Sequence, residues 1–177
     1  SGDNITVTNN NITSTNTAVL IQSDAGGNVS VTRNDLLGGE FGVDAANYTP
    51  TLDATSNWWG SPNGPNATEN TYNKSAQGSP ASASIEFTPW LNGSIDAENS
   101  AEFAPVTNGS GGEFASIQAA VDASTTNTEN TIQAKAGVYN ETINIGVSDI
   151  EIAGAGKDQT GIYGQDSTRA VEIGSSG

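Results

Sequence analysis

The chain of 177 residues contains no cysteine, no histidine and no methionine. The missing Cys and His exclude thiol nucleophiles, Ser-His-Asp triads, haem ligation and the usual zinc sites. No run of about 18 apolar residues occurs, so the sequence predicts no membrane insertion. With Ser1 first, no Met and no signal-peptide pattern, we expect a mature product or a piece of a longer chain.

Positive charge is also scarce, because five Lys and Arg face 20 Asp and Glu and give a formal net charge of −15. Phosphate binding needs a basic patch, so the sequence predicts no nucleic-acid partner. The same charge argues against binding to anionic membrane surfaces.

Large apolar residues are few, because Leu, Ile, Val and Phe together make up fewer than one residue in five. A share below roughly 20% with high net charge is typical of disordered chains. Gly and Ala are abundant instead. The alternative to disorder is therefore a fold whose core needs few large side chains.

An internal repeat decides between these alternatives. The segment 4–10 recurs at 28–34 and, more weakly, at 51–57, which is a period of about 24 residues. Apolar residues alternate with polar ones inside each copy, which favours short strands over helix. Strands at this period predict a solenoid whose coils stack about 4.8 Å apart around a narrow core.

Asparagine recurs at one turn position of the repeat, at Asn10, Asn34 and Asn57. Stacked amides can hydrogen-bond from coil to coil and tolerate left-handed backbone, so we predict a structural asparagine ladder there. The Thr and Ser residues of the same repeats are expected to face solvent.

Asn-x-Ser/Thr sequons occur nine times, about twice the number expected from the Asn, Ser and Thr content. The excess favours a glycosylated protein outside the cell, although Asn and Thr are also common in strands and turns of such a fold. The candidate glycosylation sites are Asn4, Asn11, Asn28, Asn47, Asn66, Asn73, Asn92, Asn108 and Asn140.

Five segments resemble parts of the right-handed parallel β-helix superfamily, with its pectate-lyase-like and NosD-like solenoids. Residues 52–65, with Trp-Trp-Gly, are similar to its last coil and 85–91 to its closing segment. Residues 114–123 are similar to its N-terminal capping helix, 131–143 to its first coil and 150–156 to the next strand and turn. The resemblance implies an all-β parallel β-helix with one short α-helix near 114–123. Its coils would each contain about 22–25 residues, as in other solenoids with short repeats.

The order of these motifs is permuted relative to the family. We expect C-terminal-type coils in 1–91, an acidic Gly/Ser/Asn-rich linker in 92–111, and the cap and N-terminal-type coils in 112–177. Written tail to head, the coil continues across residues 177 and 1. Three alternatives follow: a repeat cut from a tandem array, subunits that complete each other head to tail, or a chain that closes on itself.

The side chains expected at a head-to-tail junction are the apolar residues of the first and last strands. They are Ile5, Val7, Val19, Val171 and Ile173. The residues expected to cap the coils are Trp58, Trp59, Phe114 and Ile117.

Catalytic chemistry finds little support, so we expect no enzyme and no cofactor. Arg33 beside Asp35 is the one basic–acidic candidate on a coil, and the repeat alignment shows no stacked acidic pair. Ca²⁺ at Asp3, Asp24 and Asp44 is a weaker alternative to their role as turn formers. Trp58 and Trp59 are interpreted as caps in preference to a sugar-stacking platform.

The sequence therefore favours a structural protein: a subunit or tandem repeat of an extracellular cell-surface filament, sheath or adhesin. Its partners are expected to be copies of itself, with glycans as further partners. A carbohydrate-binding or polysaccharide-cleaving β-helix module is the alternative.

Overall fold

A computed structural model describes residues 4–23, 25–124, 130–165 and 169–174. The chain divides into two compact units. Unit 1 comprises residues 1–68 and 75–103, and unit 2 comprises residues 69–74 and 104–177. Among the described residues no helix is long and apolar enough to cross a membrane.

Unit 1 begins with two coils of three strands each, joined by short turns. The first coil contains β1 (Ile5–Thr8), β2 (Asn11–Ser14) and β3 (Thr17–Leu20). The second coil contains β4 (Val29–Thr32), β5 (Asp35–Gly38) and β6 (Phe41–Asp44). Each strand of the first coil pairs in parallel with its counterpart in the second.

The two coils pair with a register of 24 residues, which is the period of the sequence repeat. Ile5 pairs with Val29 and Val7 with Val31. Because the side chains alternate along a strand, this register places Val31 inside, where it is fully buried. Leu36 on β5 and Val43 on β6 are also fully buried, so each face of the coil contributes a large side chain to a narrow core.

Unit 1 continues through shorter strands: β7 (Leu52–Asp53), β8 (Ile85–Glu86), β9 (Trp90–Leu91) and β10 (Glu102–Phe103). The first two extend the β1–β4 face in parallel, whereas β10 pairs antiparallel with β9. A 3₁₀ turn spans Lys74–Ala76, where the chain passes from residues 69–74 of unit 2 back into unit 1. Trp59 and Trp90, both fully buried, fill the interior here.

Unit 2 opens with β11 (Val106–Thr107), β12 (Glu113–Phe114) and helix α1 (Ile117–Asp122). One coil follows, with β13 (Asn130–Ala134), β14 (Gly137–Tyr139) and β15 (Ile143–Ile145). The next contains β16 (Ile150–Gly154), β17 (Thr160–Ile162) and β18 (Val171–Ile173). These two coils pair strand by strand in parallel.

Helix α1 lies within the range predicted for the capping helix. Ser116 is its N-cap, since the side chain accepts a hydrogen bond from the amide of Ala119. The helix buries Ile117, Ala120 and Val121, and it packs against β13 and β15 of the first coil of unit 2. The predicted fold class, an all-β parallel β-helix with one short helix, is confirmed.

The segment expected as a linker, 92–111, is folded in the structure. It contains β10 and β11, and the boundary between the units falls between Phe103 and Ala104. The structure also differs from the expected domain division at residues 69–74. They follow the Trp-Trp-Gly motif of unit 1 in the sequence, but they belong to unit 2.

Candidate functional site

The first coil of unit 1 has an open outer edge. Each of β1, β2 and β3 pairs on one side only within the described residues, with β4, β5 and β6. The inward-facing Ile5 is consequently 46% exposed, although its partner Val29 is buried. Val7 and Val19 are half-buried, whereas the residues beneath them, Val31 and Val43, are fully buried. We call this surface the β1–β3 edge.

The second coil of unit 2 has a similar open edge. Each of β16, β17 and β18 pairs on one side only within the described residues. Val171 is 43% exposed and Ile173 80% exposed, although Ile143, the partner of Val171, is fully buried. We call this surface the β16–β18 edge.

A cavity of about 260 Å³ lies inside this coil. Its lining includes Ala134, Ile152 and Ile162. Ile152 and Ile162 are the inward-facing residues of β16 and β17, since they pair with the buried Ile132 and Tyr139. The cavity is therefore the interior of the solenoid where no further described coil covers it.

The asparagines at the repeated turn position form a continuous hydrogen-bonded column in unit 1. The Nδ2 of Asn10 donates to the Oδ1 of Asn34 over 3.1 Å, and the Nδ2 of Asn34 donates to the Oδ1 of Asn57 over 3.2 Å. The backbone amides of Asn10 and Asn34 donate to the same oxygens. Asn34 and Asn57 are fully buried, and Asn10 is exposed.

Left-handed backbone lies one residue earlier than we expected. The positive φ angles are at Asn9 (58°), Arg33 (55°) and Ser56 (57°), not at the ladder asparagines. A left-handed residue turns the chain sharply, so the residue that follows can direct its amide into the interior.

The buried carboxylate of Glu141 anchors helix α1 in unit 2. It accepts hydrogen bonds from the backbone amides of Ile117 (2.9 Å) and Gln118 (2.7 Å), and from the hydroxyl of Thr71 (2.9 Å). Those two amides belong to the first turn of the helix. Backbone amides in a first turn have no acceptor within the helix itself. The sequence contained no signal for this contact, because it joins parts of the chain far apart in sequence.

Two tyrosines pack beside this carboxylate. The ring centroids of Tyr72 and Tyr139 are 5.5 Å apart. Burial raises the pKa of the Tyr139 phenol, and Tyr72 and Glu141 add to the rise. Tyr139 therefore stays protonated, and its single hydroxyl proton is shared between the backbone oxygens of Pro105 and Lys135, each 2.9 Å from the phenol oxygen. The hydrogen bonds of Tyr139 and Glu141 thus hold neighbouring segments of unit 2 together, as in a structural core.

Glu141→Gln is expected to lower the free energy of unfolding of unit 2 by about 2 kcal/mol, because an amide has one acceptor oxygen where the carboxylate has two. Hydrogen exchange at Ile117 and Gln118 measures the loss directly. Glu172→Gln, at an exposed surface ion pair with Arg169, is the control and is expected to change exchange there little. Unchanged protection in Glu141→Gln would show that the carboxylate does not hold the helix.

The sequon asparagines differ in exposure. Asn73, Asn108 and Asn140 are half-buried, and the other six are exposed. The Oδ1 of Asn108 accepts from the amide of Gly112, and that of Asn92 from the amide of Ala101. Asn4, Asn11, Asn28, Asn47 and Asn66 lie open on unit 1.

Arg33 and Asp35, the basic–acidic candidate pair from the sequence, differ in their surroundings. Asp35 is buried and accepts hydrogen bonds from the hydroxyl of Ser94 (2.6 Å) and the amide of Ile95 (2.9 Å). Arg33 is exposed. The carboxylate thus fastens the 94–95 turn to the coil, which is a structural task.

A stacked acidic pair exists, contrary to our expectation from the repeat alignment. Asp53 on β7 pairs in register with Glu86 on β8. The alignment missed it because a long loop between β7 and β8 makes their spacing larger than the period of the repeat. Each carboxylate accepts from its own following turn, Asp53 from Thr55 and Glu86 from Thr88.

Of the Ca²⁺ candidates, Asp3 and Asp24 lie outside the described residues. The Oδ1 of Asp44 accepts from the amide of Ala46, as in a turn. Within the described part of the chain, no three Asp or Glu side chains group as metal ligands.

The residues predicted to cap the coils differ in burial. Trp59 and Ile117 are fully buried, whereas Trp58 and Phe114 are half-buried. A fully buried ring cannot stack on a sugar, so Trp59 belongs to the core of unit 1. Trp58 forms a β-bridge with Asp35 on the neighbouring coil.

Comparison of the chain with protein-family models, curated proteins and solved structures finds no match in any of the three.

Proposed function

We propose that this chain is a structural subunit or tandem repeat of an extracellular cell-surface filament, sheath or adhesin that assembles head to tail by β-helix stacking. In this assembly the β1–β3 edge of one copy docks on the β16–β18 edge of another. The observation that carries the proposal is that, within the described residues, the strands of both edges pair on one side only and leave inward-facing apolar side chains exposed.

The physical argument starts from the cost of leaving such edges in water. Exposed strand edges pair with any matching strand, and proteins that avoid this place charges or proline on them. Residues 4–23, which include all of β1, β2 and β3, contain neither a charged residue nor proline. The β1–β3 edge thus lacks the usual protection against pairing.

Docking would bury side chains that are now partly in water. Full burial of a Val or Ile side chain contributes roughly 1.5–3 kcal/mol. Several such residues lie at each edge, among them Ile5, Val171 and Ile173. Parallel strand pairing adds backbone hydrogen bonds, and both contributions act against the loss of translational and rotational freedom on association.

The two edges are different surfaces, so the contact is heterologous. Heterologous contacts that do not close into a ring generate open filaments. The resemblance to the right-handed parallel β-helix superfamily supports the proposal through its permuted motif order. The nine sequons support an extracellular location.

We expect assembly to increase with salt. Each copy carries a formal charge of −15, and raising the ionic strength from about 0.01 M to 0.15 M shortens the Debye length from about 30 Å to 8 Å. Sedimentation velocity and electron microscopy of the purified chain over this range are expected to show filaments that lengthen with salt. A monodisperse monomer at high concentration throughout would disprove the proposal.

A carbohydrate-binding or polysaccharide-cleaving module is the second candidate. The observation that favours it is an open groove of about 350 Å³ whose lining includes Asn4, Ser30, Tyr48 and Asp53, the last being one of the stacked carboxylates. Binding on a glycan array, or Ca²⁺-dependent release of unsaturated uronides, would support this candidate.

A further inference from the structure

The asparagine ladder of unit 1 has an unfilled end at the β1–β3 edge. The Oδ1 of Asn34 accepts from the backbone and side-chain nitrogens of Asn10, and the Oδ1 of Asn57 accepts from those of Asn34. At Asn10 no donor among the described residues reaches the Oδ1. The ladder therefore ends on a free acceptor at the surface that the proposed assembly buries.

The amide nitrogen of Asn10 also lacks one of the bonds its neighbours make. The Nδ2 of Asn34 donates to the carbonyl of Val7, and that of Asn57 donates to the carbonyl of Val31. Both carbonyls belong to the coil before the asparagine. Asn10 has no such carbonyl within the described coils, and its Nδ2 donates to Thr8 and Asn34 only.

The lengths of the connections between strands indicate which strand of unit 2 corresponds to β1, the strand that precedes Asn10. In unit 1 the longest connection of each coil follows its third strand, residues 21–28 after β3 and 45–51 after β6. In the first coil of unit 2 the longest connection likewise follows the third strand, residues 146–149 after β15, so β13 corresponds to β1. Because β16 pairs with β13 along its whole length, β16 lies on the face that corresponds to β1.

The matching carbonyl follows from the inward-facing positions. Val7 and Val31, whose carbonyls are used, are the last inward-facing residues of their strands. Ala134 holds that position in β13, since it is buried at the strand end, and it pairs with Gly154 in β16. The carbonyl that corresponds to those of Val7 and Val31 is thus that of Gly154.

We propose that Asn10 sets the register of the junction between two copies, an inference that rests on the proposed head-to-tail function. In this junction β16 of a second copy stacks on β1. The Nδ2 of Asn10 donates to the carbonyl of Gly154 of the second copy. The Oδ1 of Asn10 accepts from a backbone amide in the turn after β16 of that copy, residues 155–159. The ladder then runs unbroken from one copy into the next.

A chain-stopping assay tests this pairing apart from the assembly itself. A copy with Val171→Asp keeps its β1–β3 edge but loses its β16–β18 edge, so it adds to a wild-type filament and blocks further growth. Adding Asn10→Ala to this stopper is expected to raise the concentration needed for half-maximal stopping about tenfold, which corresponds to about 1.4 kcal/mol. Adding Asn16→Ala, an exposed asparagine of the second turn in the same coil, is expected to leave the concentration unchanged.

Two further measurements keep the result decisive. Tryptophan emission reports the folding of unit 1, because Trp58, Trp59 and Trp90 all lie there, and the stoppers are compared under conditions where their emission is native. Hydrogen exchange in wild-type filaments is expected to show slower exchange over residues 155–159 than in unassembled chains.

Failure of the pairing and failure of the proposed function give different results. Equal potency of the Asn10→Ala and Asn16→Ala stoppers, or unchanged exchange at 155–159, would overturn the pairing while wild-type filaments leave the proposed function standing. Wild-type chains that form no filaments would refute the function itself.

Discussion

Asn34→Ala is expected to lower the free energy of unfolding of unit 1 by about 3–5 kcal/mol, a large fraction of the total stability of a small domain. The side chain is fully buried, and its amide joins the coils above and below. Removing it takes the Nδ2 donor from the carbonyls of Val7 and Thr32, and it takes from the Oδ1 of Asn57 one of its two donors. Each buried polar group without a partner costs about 1–3 kcal/mol.

Urea denaturation followed by tryptophan emission measures this loss, since all three tryptophans belong to unit 1. Asn16→Ala is the matched control, because Asn16 is exposed and its side-chain oxygen accepts a hydrogen bond from the hydroxyl of the neighbouring Thr17. We expect the control to change stability by less than about 0.5 kcal/mol. If the two substitutions have equal effects, the ladder does not stabilise the unit.

The repeated parts of the fold could be predicted because their information is local. The period of the repeat places Val7 over Val31 and Asn10 over Asn34, and the structure has the same register. A solenoid makes this possible, since each coil contacts only its neighbours and inward-facing residues recur at one spacing. Few large side chains are enough for such a core, which explains why the low content of Leu, Ile, Val and Phe does not signal disorder here.

The parts that failed prediction are those where the spacing is irregular. The stacking of Glu86 on Asp53 crosses the long loop between β7 and β8, so no fixed period reveals it. Likewise, the bond from Thr71 to Glu141 joins residues 70 positions apart. Such contacts depend on where loops return to the coils, and a repeat pattern carries no information on that.

The same physical argument bears on the candidate assembly surface. The sequence pattern singled out Ile5, Val7, Val19, Val171 and Ile173 from their place in the first and last strands. The structure adds that these strands are unpaired on one side within the described residues, and that Ile5, Val171 and Ile173 are exposed. The strand-to-strand register of a junction could not be read from the sequence, because the turns 140–142 and 155–159 of unit 2 are longer than the two-residue turns within the coils of unit 1.

Val171→Asp is expected to abolish filament formation while the chain stays folded. Val171 lies on β18 with its side chain 43% exposed, so the carboxylate remains hydrated in the unassembled chain. Docking of a second copy would bury it among apolar side chains without a partner. The cost of burying an unpaired charge, several kcal/mol, exceeds what the few apolar contacts at this position contribute.

The control for this substitution is Val138→Asp, which adds the same charge to the same unit. Val138 lies on β14 between Gly137 and the buried Tyr139, and it is 38% exposed. It points outward from a strand that is already paired with β17, so we expect assembly to persist. Sedimentation velocity in matched salt separates the two: filaments for Val138→Asp, and a single slow species for Val171→Asp. Filaments from Val171→Asp at wild-type concentrations would mean that the β16–β18 edge is not where copies meet.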